Sequence, residues 1–187
     1  MTGDGKQHQL RLGFLTAVEV PDRGYVGGLL ITNHYGRPLE FQCTTPVRPN
    51  RAQEILYGPT LRPFLLGELI GGTLIEKASI KPDLVLTENN DLLELRNHVT
   101  IPVACITGDV ADGMSARLPD ASAADEEPLP RVVTIGRQKL RFHSAHLSDC
   151  RLVEQTSHLV PQDADLLEPF DRVREALQET MNTGTMR

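Results

Sequence analysis

The sequence predicts an α/β fold on a mixed sheet, because strand-like segments occur first as a meander and then around a helix. Apolar residues alternate with other residues between positions 10 and 20, which is the period of a strand with one face on a core. Residues 25–32 and 39–47 have strand composition and follow short turns. Three strands with such short connections indicate an antiparallel meander.

Helices and a second group of strands are predicted after the meander. Asn50 followed by Gln53 has the spacing of a helix N-cap with its capping-box partner. Residues 61–78 have the length and apolar content of a helix packed on a core. A strand, a short helix and a strand then form a βαβ unit with parallel strands, at residues 84–87, 92–97 and 101–106.

Composition divides the chain into a core, a linker and an extension. Residues 1–106 form the predicted mixed α/β core. Residues 107–130 are rich in Asp, Ala and Pro, which predicts an acidic linker or loop. Residues 131–187 are predicted to contain a hairpin and helices, which makes them a C-terminal extension.

Charge and composition argue against several classes of function. The formal net charge is -6, and nonspecific nucleic-acid binding depends on Lys and Arg, so nucleic acid is not an expected partner. The three cysteines are widely separated, which favours a reducing compartment over a disulfide framework. Neither a signal peptide nor a membrane span is predicted. We therefore expect a soluble, cytoplasmic protein.

Glu68 is the least expected residue of the helix predicted at 61–78. At about 100° per residue, it falls beside Phe64 and Leu65 rather than on the charged face that contains Lys77. A carboxylate there is expected inside the fold or at the edge of a cleft, where it needs a cation. A structural ion pair and a functional role both remain open.

Two other carboxylates end predicted strands. Glu19 lies at the end of the first strand and Glu88 at the end of the fourth. Ligands gather at the carboxyl ends of parallel strands, and three convergent carboxylates would bind Mg²⁺ or Mn²⁺. Ordinary exposure to solvent explains Glu19 and Glu88 equally well.

The order of the predicted elements, together with three short motifs, resembles a family of nucleases. The motifs are AVEV at residues 17–20, LGE at 66–68 and KPDLVLTEN at 81–89. They look most like endonuclease V within the ribonuclease H-like fold, over about residues 10–106. The resemblance implies a divalent-metal-dependent nuclease whose ligands are Glu19, Glu68 and Glu88. At both strand positions the family has Asp where this chain has the longer Glu.

Two further patterns suggest other functions. The first loosely resembles the central meander of ubiquitin-conjugating enzymes; it comprises Tyr25, Gly27, Gly28 and TTPVRPN at 44–50. Since the next cysteine is Cys105, this resemblance implies an inactive domain. The second pattern has residue types that can bind zinc, namely His143, His146 and Cys150.

The sequence alone favours a non-enzymatic protein-interaction or scaffold domain without a cofactor. No complete catalytic motif is present, and the last helix carries one apolar stripe, which must pack on this core or on a partner. We predict that this helix and the acidic linker bind a protein partner or a second copy. The stripe consists of Phe170, Val173 and Leu177. The alternative is the nuclease with Mg²⁺ or Mn²⁺, and the second alternative is the inactive ubiquitin-conjugating-enzyme-like domain.

Overall fold

The computed structural model describes residues 9–109 and 132–184, and these form one seven-stranded mixed sheet with helices on both faces. The strands are β1 (Arg11–Val20), β2 (Gly24–Asn33), β3 (Pro38–Cys43), β4 (Leu84–Thr87), β5 (Val103–Asp109), β6 (Val133–Ile135) and β7 (Gln138–Phe142). Their order is β3-β2-β1-β4-β5-β7-β6. The pairs β1–β4 and β4–β5 are parallel, and the others are antiparallel. The predicted α/β class and mixed sheet are confirmed.

A tight turn between β1 and β2 sets the register of the central hairpin. Asp22 and Gly24 both have positive φ, at 62° and 92°. A side chain at Gly24 would also lie 2.2 Å from the carbonyl oxygen of Val47, so only glycine fits. The pairing of β1 with β2 then runs from Val20 opposite Gly24 to Arg11 opposite Asn33.

The helices are α1 (Arg51–Tyr57), α2 (Leu61–Pro63), α3 (Gly72–Lys77), α4 (Asp149–Ser157) and α5 (Glu168–Gly184). A π-helical segment, Phe64–Gly71, joins α2 to α3, so residues 61–77 form one long helix. A 3₁₀ helix, Asn90–Asn97, connects β4 to β5. The capping box before α1 is confirmed, since Asn50 and Gln53 each accept a hydrogen bond from the other's backbone N–H, at 2.9 and 3.0 Å.

Alternation along the strands gives the sheet two apolar faces. On one face Leu12 and Phe14 of β1 pack in a cluster with α4 and α5. On the other face Leu15 of β1 packs in a cluster with the long helix and the 3₁₀ helix. The sheet therefore lies between two helical layers, and its strand ends remain accessible.

The apolar stripe of α5 belongs to this core. Phe170, Val173 and Leu177 are 0%, 0% and 1% exposed. The ring of Phe170 meets that of Phe14 edge to face, with centroids 5.4 Å apart. The prediction that this stripe binds a partner is wrong, because its three side chains cover the apolar face of β1 and β2.

Glu68 lies on the outer side of the long helix and lines a groove, so of its two predicted positions it has the one at the edge of a cleft and not the one inside the fold. Its side chain is 48% exposed. The buried residues Leu66, Ile70 and Leu74 are spaced by four and form a stripe that does not include Glu68. Glu68 is therefore aligned with Gly72 rather than with the buried stripe.

The C-terminal hairpin extends the same sheet, since β7 pairs with β5 and β6 pairs with β7. Most of the predicted linker at residues 107–130 lies outside the described residues. Within 9–109 and 132–184, no helix has the length and apolar character needed to cross a lipid bilayer.

Candidate functional site

The central strands β1 and β4 are parallel, and β4 ends beside β1, which continues to Val20. Leu84 pairs with Leu12 and Leu86 with Phe14, so Glu88 comes at the level of Thr16. Glu88 is the first residue after β4. Clefts at such strand ends are where α/β sheets bind ligands. We use the name carboxyl-end surface for this edge on both faces of the sheet; it includes Glu88 and Arg174 on one face, Arg62 and Arg141 on the other, and Arg48 at the tip of the β1–β2 hairpin.

Glu88 is paired with an arginine from the last helix. Arg174 Nη1 donates to Glu88 Oε2, and Nη2 donates to Asp171 Oδ1 at 2.8 Å. The hydrogen bond to Glu88 and then that to Asp171 raise the pKa of Arg174. The pair is half-exposed, with 38% of the Arg174 side chain and 30% of the Glu88 side chain accessible.

Glu19 lies near a second arginine, on the opposite face of the sheet. Arg62 Nε donates to Asp91 Oδ2 at 3.0 Å, and its guanidinium lies 5.6 Å from the ring centroid of Tyr25. The hydrogen bond to Asp91 raises the pKa of Arg62, and the charge of Glu19 adds to this effect. Arg62 therefore neutralises acidic groups on its face, as Arg174 does on the other.

The three glutamates that the resemblance implied as ligands do not form a group. Glu19 follows the face of Leu15, whereas Glu88 follows the face of Leu86, because side chains alternate along each strand. Glu68 has a third environment, 3.8 Å from His98 Nε2. Among the residues that the structure describes, no three His, Cys, Asp or Glu side chains could hold a metal ion as they stand.

Glu68 lines a groove of about 770 Å³ toward the amino ends of β4 and β5. Its walls include Lys81 and Ile101, which precede those two strands. His98 Nε2 also lies 3.5 Å from Glu94 Oε1. The groove is a separate feature from the carboxyl-end surface.

The suggested zinc ligands have other roles. His143 Nδ1 accepts from the backbone N–H of Ala145 at 3.2 Å, and His146 Nε2 lies 2.9 Å from Asn97 Oδ1. Cys150 is 1% exposed in the apolar cluster under α4. A thiol in the core and two imidazoles at the surface do not surround a common point.

Arginines and exposed apolar side chains extend this surface beyond Glu88. Arg48 Nη1 donates to the carbonyl oxygen of Asp22 at 3.1 Å, at the tip of the β1–β2 hairpin. Arg141 donates to the side chain of Asn90 at the end of β4. Helix α1 has no buried residue, and its Leu56 is 82% exposed. Sequence reasoning did not assign Arg62, Arg141 or Arg174, because the sequence does not show which elements pack around the end of β4.

The elements define an α/β chain with the ribonuclease H-like order of three antiparallel strands, long helix, strand, short helix and strand. Among solved structures it is similar to endonuclease V, as the sequence motifs suggested. The Ciona intestinalis enzyme, in complex with a 23mer DNA containing an inosine followed by a ribo-adenosine, is 13% identical; the match has a TM-score of 0.46 and covers 92% of this chain and 87% of that one. The catalytic domain of human endonuclease V is 12% identical, with a TM-score of 0.44 over 94% and 85%.

At these identities the likeness concerns the fold alone. No family model matches the chain, and comparison with curated protein sequences also finds no match.

Two predictions from the sequence are corrected. The non-enzymatic interaction domain is overturned because the similar solved structures are endonucleases, and the stripe that supported it is buried in its own core. The expectation that nucleic acid is an improbable partner is overturned by the same comparison, since one of those structures contains DNA. A net charge of -6 averages over the whole chain and conceals the arginines of the carboxyl-end surface.

Proposed function

We propose that this chain is a nuclease of the ribonuclease H-like type that binds a nucleic-acid strand along the carboxyl-end surface. The observation that carries the proposal is the position of Glu88, directly after β4 and beside β1, in contact with Arg174. A carboxylate with a guanidinium at such a strand end provides a proton acceptor and a phosphate-binding group in one place.

The arginines supply the electrostatic part of this proposal. Arg62, Arg141 and Arg174 come from three different elements and are half-exposed or exposed. Guanidinium groups bind phosphate oxygens through paired hydrogen bonds and stabilise the charge that develops there during hydrolysis. Glu88 would accept a proton from the water that attacks phosphorus, while the ester oxygen that leaves takes a proton from solvent.

Helix α1 contacts α2, the helix that carries Arg62, and provides an apolar element there. Ile55 and Leu56 are 66% and 82% exposed, and Arg51 lies at the start of the helix. Exposed apolar side chains beside arginines suit a surface that separates stacked bases while its cations contact the backbone. Glu54 pairs with Arg51 at 3.0 Å, so part of this charge is balanced in the free protein.

Mg²⁺ or Mn²⁺ belongs to this proposal only as a condition to be tested. Because Glu19, Glu68 and Glu88 have separate environments, the described residues do not fit a three-carboxylate site. We assign no step to a metal. Of the three glutamates, we retain Glu88 as the residue that acts on the substrate.

The test is cleavage of labelled single- and double-stranded DNA and RNA, including DNA with one inosine, in Mg²⁺, Mn²⁺ or EDTA. We expect Glu88→Gln to reduce cleavage at least about 100-fold, the usual contribution of a general base. The matched control is Asp83→Asn, because Asp83 also adjoins β4 and pairs with an arginine, at 3.2 Å, but at the amino end of the strand. Its cleavage rate should stay within about threefold of the unmodified protein. An unmodified protein that cleaves none of these strands, or a Glu88→Gln variant with full activity, would overturn the proposal.

A further inference from the structure

We propose that Arg174 is a phosphate-binding residue which Glu88 and Asp171 hold in the free protein and which a nucleic-acid strand takes over. This inference rests on the proposed function, in which Arg174 binds phosphate, and adds the way in which Arg174 becomes available to the strand. It also assigns Glu88 a second effect, which is to oppose binding until Arg174 has moved.

The contacts of Arg174 allow such an exchange. Its two terminal nitrogens donate to two different carboxylates, Glu88 and Asp171, so neither interaction is the paired fork that guanidinium groups form best. Both ion pairs are partly accessible, with the Asp171 side chain 69% exposed. Ion pairs of this kind are weak in water and open readily.

The backbone beneath Arg174 is fixed while its head group is accessible. Val173 and Leu177, on the same turns of α5, are buried against the sheet, and Val173 lies where a side chain at Gly28 would be. The guanidinium can therefore move only within the reach of its own side chain. That restriction keeps it beside the end of β4, where a bound phosphate would replace the two carboxylates.

The charges around Arg174 explain why it must exchange its carboxylate partners for phosphate when a strand binds. One guanidinium faces two carboxylates in the free protein, so this part of the carboxyl-end surface is negative. A phosphate would be repelled by Glu88 unless Arg174 turned toward it. Once Arg174 contacts phosphate, Glu88 has lost its hydrogen-bond donor and is free to act on water.

The experiment is a double-mutant cycle on strand binding, with Glu88→Gln, Arg174→Gln and both together. Affinity for a labelled inosine-containing DNA oligonucleotide is measured over a range of salt concentrations without divalent cations. Arg174→Gln should weaken binding and lower the slope of log K against log salt by about 1, the signature of one lost phosphate contact. Glu88→Gln should tighten binding at least about threefold, but only when Arg174 is present.

The Arg11–Asp83 pair provides the matched control. It joins β1 to the residue before β4, at the amino end of that strand, and its side chains are exposed to a similar extent, at 36% and 27%. Arg11→Gln removes one positive charge and one ion pair, yet it should leave the salt slope unchanged. Thermal melts of all variants show whether each is folded. If Arg174→Gln does not fold, Arg174→Lys takes its place. Arg174→Lys should keep the salt slope of the unmodified protein but bind the strand more weakly.

Each outcome of these measurements supports or overturns the inference. An unchanged salt slope in Arg174→Gln would show that Arg174 serves only the fold. Equal tightening by Glu88→Gln with and without Arg174 would show that Glu88 merely repels the strand. Either result overturns the inference and leaves the proposed function intact. A folded, unmodified protein that binds no strand would overturn both.

Discussion

Glu40 shows how one carboxylate connects the edge of the sheet to the end of the long helix. Its two oxygens accept from the backbone N–H groups of Ser79 and Ile80, at 2.9 and 2.7 Å, and from Gln42 Nε2 at 2.8 Å. The hydrogen bond from Ser79 contributes most to a lowered pKa of Glu40, followed by those from Gln42 and Ile80. The charged form is therefore favoured by folding.

This predicts a pH dependence of stability. Because the pKa of Glu40 is lower in the folded chain than its ordinary 4.5, its contribution is complete above that pH and disappears as the pH falls further. Glu40→Gln should cost about 1 kcal/mol at neutral pH, a value limited by partial exposure. Urea unfolding at pH 7 and pH 3 would measure it, and the difference between variant and parent should shrink at pH 3. An equal difference at both pH values would contradict the assignment.

Asp149 makes a different kind of ion pair, in the interior. It is 2% exposed and accepts from Arg96 Nε at 2.6 Å and from Nη2 at 3.1 Å, while Arg96 Nη1 donates to the carbonyl oxygen of Val99 at 2.7 Å. The hydrogen bond to Asp149 raises the pKa of Arg96. Arg96 thus links the 3₁₀ helix to α4.

Removing one partner of this pair leaves a buried charge without compensation. Asp149→Asn should therefore lower the free energy of unfolding by about 3 kcal/mol. Chemical denaturation would measure this, with Glu154→Gln on the exposed side of α4 as the control. A loss below about 0.5 kcal/mol in Asp149→Asn would mean that the pair is solvated.

Individual residues also show where the sequence was insufficient. Helical periodicity placed Glu68 beside Phe64, but it could not show how the helix is rotated against the sheet, and it is Leu66 and Ile70 that are buried. The separation of Glu19 from Glu88 was available in principle, since counting alternate residues from Leu15 and Leu86 places them on opposite faces. That count requires knowing which strands pair, and pairing is a long-range property.

At the scale of elements, α5 supplies the cover for one face of the sheet. Phe170→Ala should cost about 3–5 kcal/mol, because it removes a fully buried ring that packs on Phe14. Denaturant unfolding of Phe170→Ala and of Leu56→Ala, on the exposed helix α1, provides the comparison. Leu56→Ala should change stability by less than about 0.5 kcal/mol. Similar values for the two variants would contradict the docking of α5.

Element boundaries were more predictable than element partners. Alternation in β1, the capping box of Asn50 and Gln53, and the βαβ spacing all come from local physics, and each is found in the structure. The stripe on α5 was also predicted correctly as apolar. The surface on which it packs was not predicted, since amphipathicity shows that a helix must pack but does not identify that surface.

At the scale of the whole molecule, the sheet order brings the candidate site together. Glu88, directly after β4, meets Arg174 of α5 on one face of the sheet, while Arg62 of the long helix and Arg141 of β7 lie on the other face, although these residues are far apart in the chain. The sequence motifs pointed to Glu88, but the arginines beside it follow from topology alone. The cleavage assay on Glu88→Gln and the binding cycle on Arg174 therefore test the molecule as a whole.

The sheet order also has a consequence for biosynthesis. Strands β1 and β2 emerge early from the ribosome, yet the apolar face bearing Phe14 is covered by α5, the last described helix. The nascent chain therefore carries an uncovered apolar face from the synthesis of β1 and β2 until the synthesis of α5. Chaperone dependence and the yield of soluble protein should therefore depend on how soon α5 is synthesised and packs on the sheet. A chain terminated before residue 168 should aggregate rather than form a smaller folded domain.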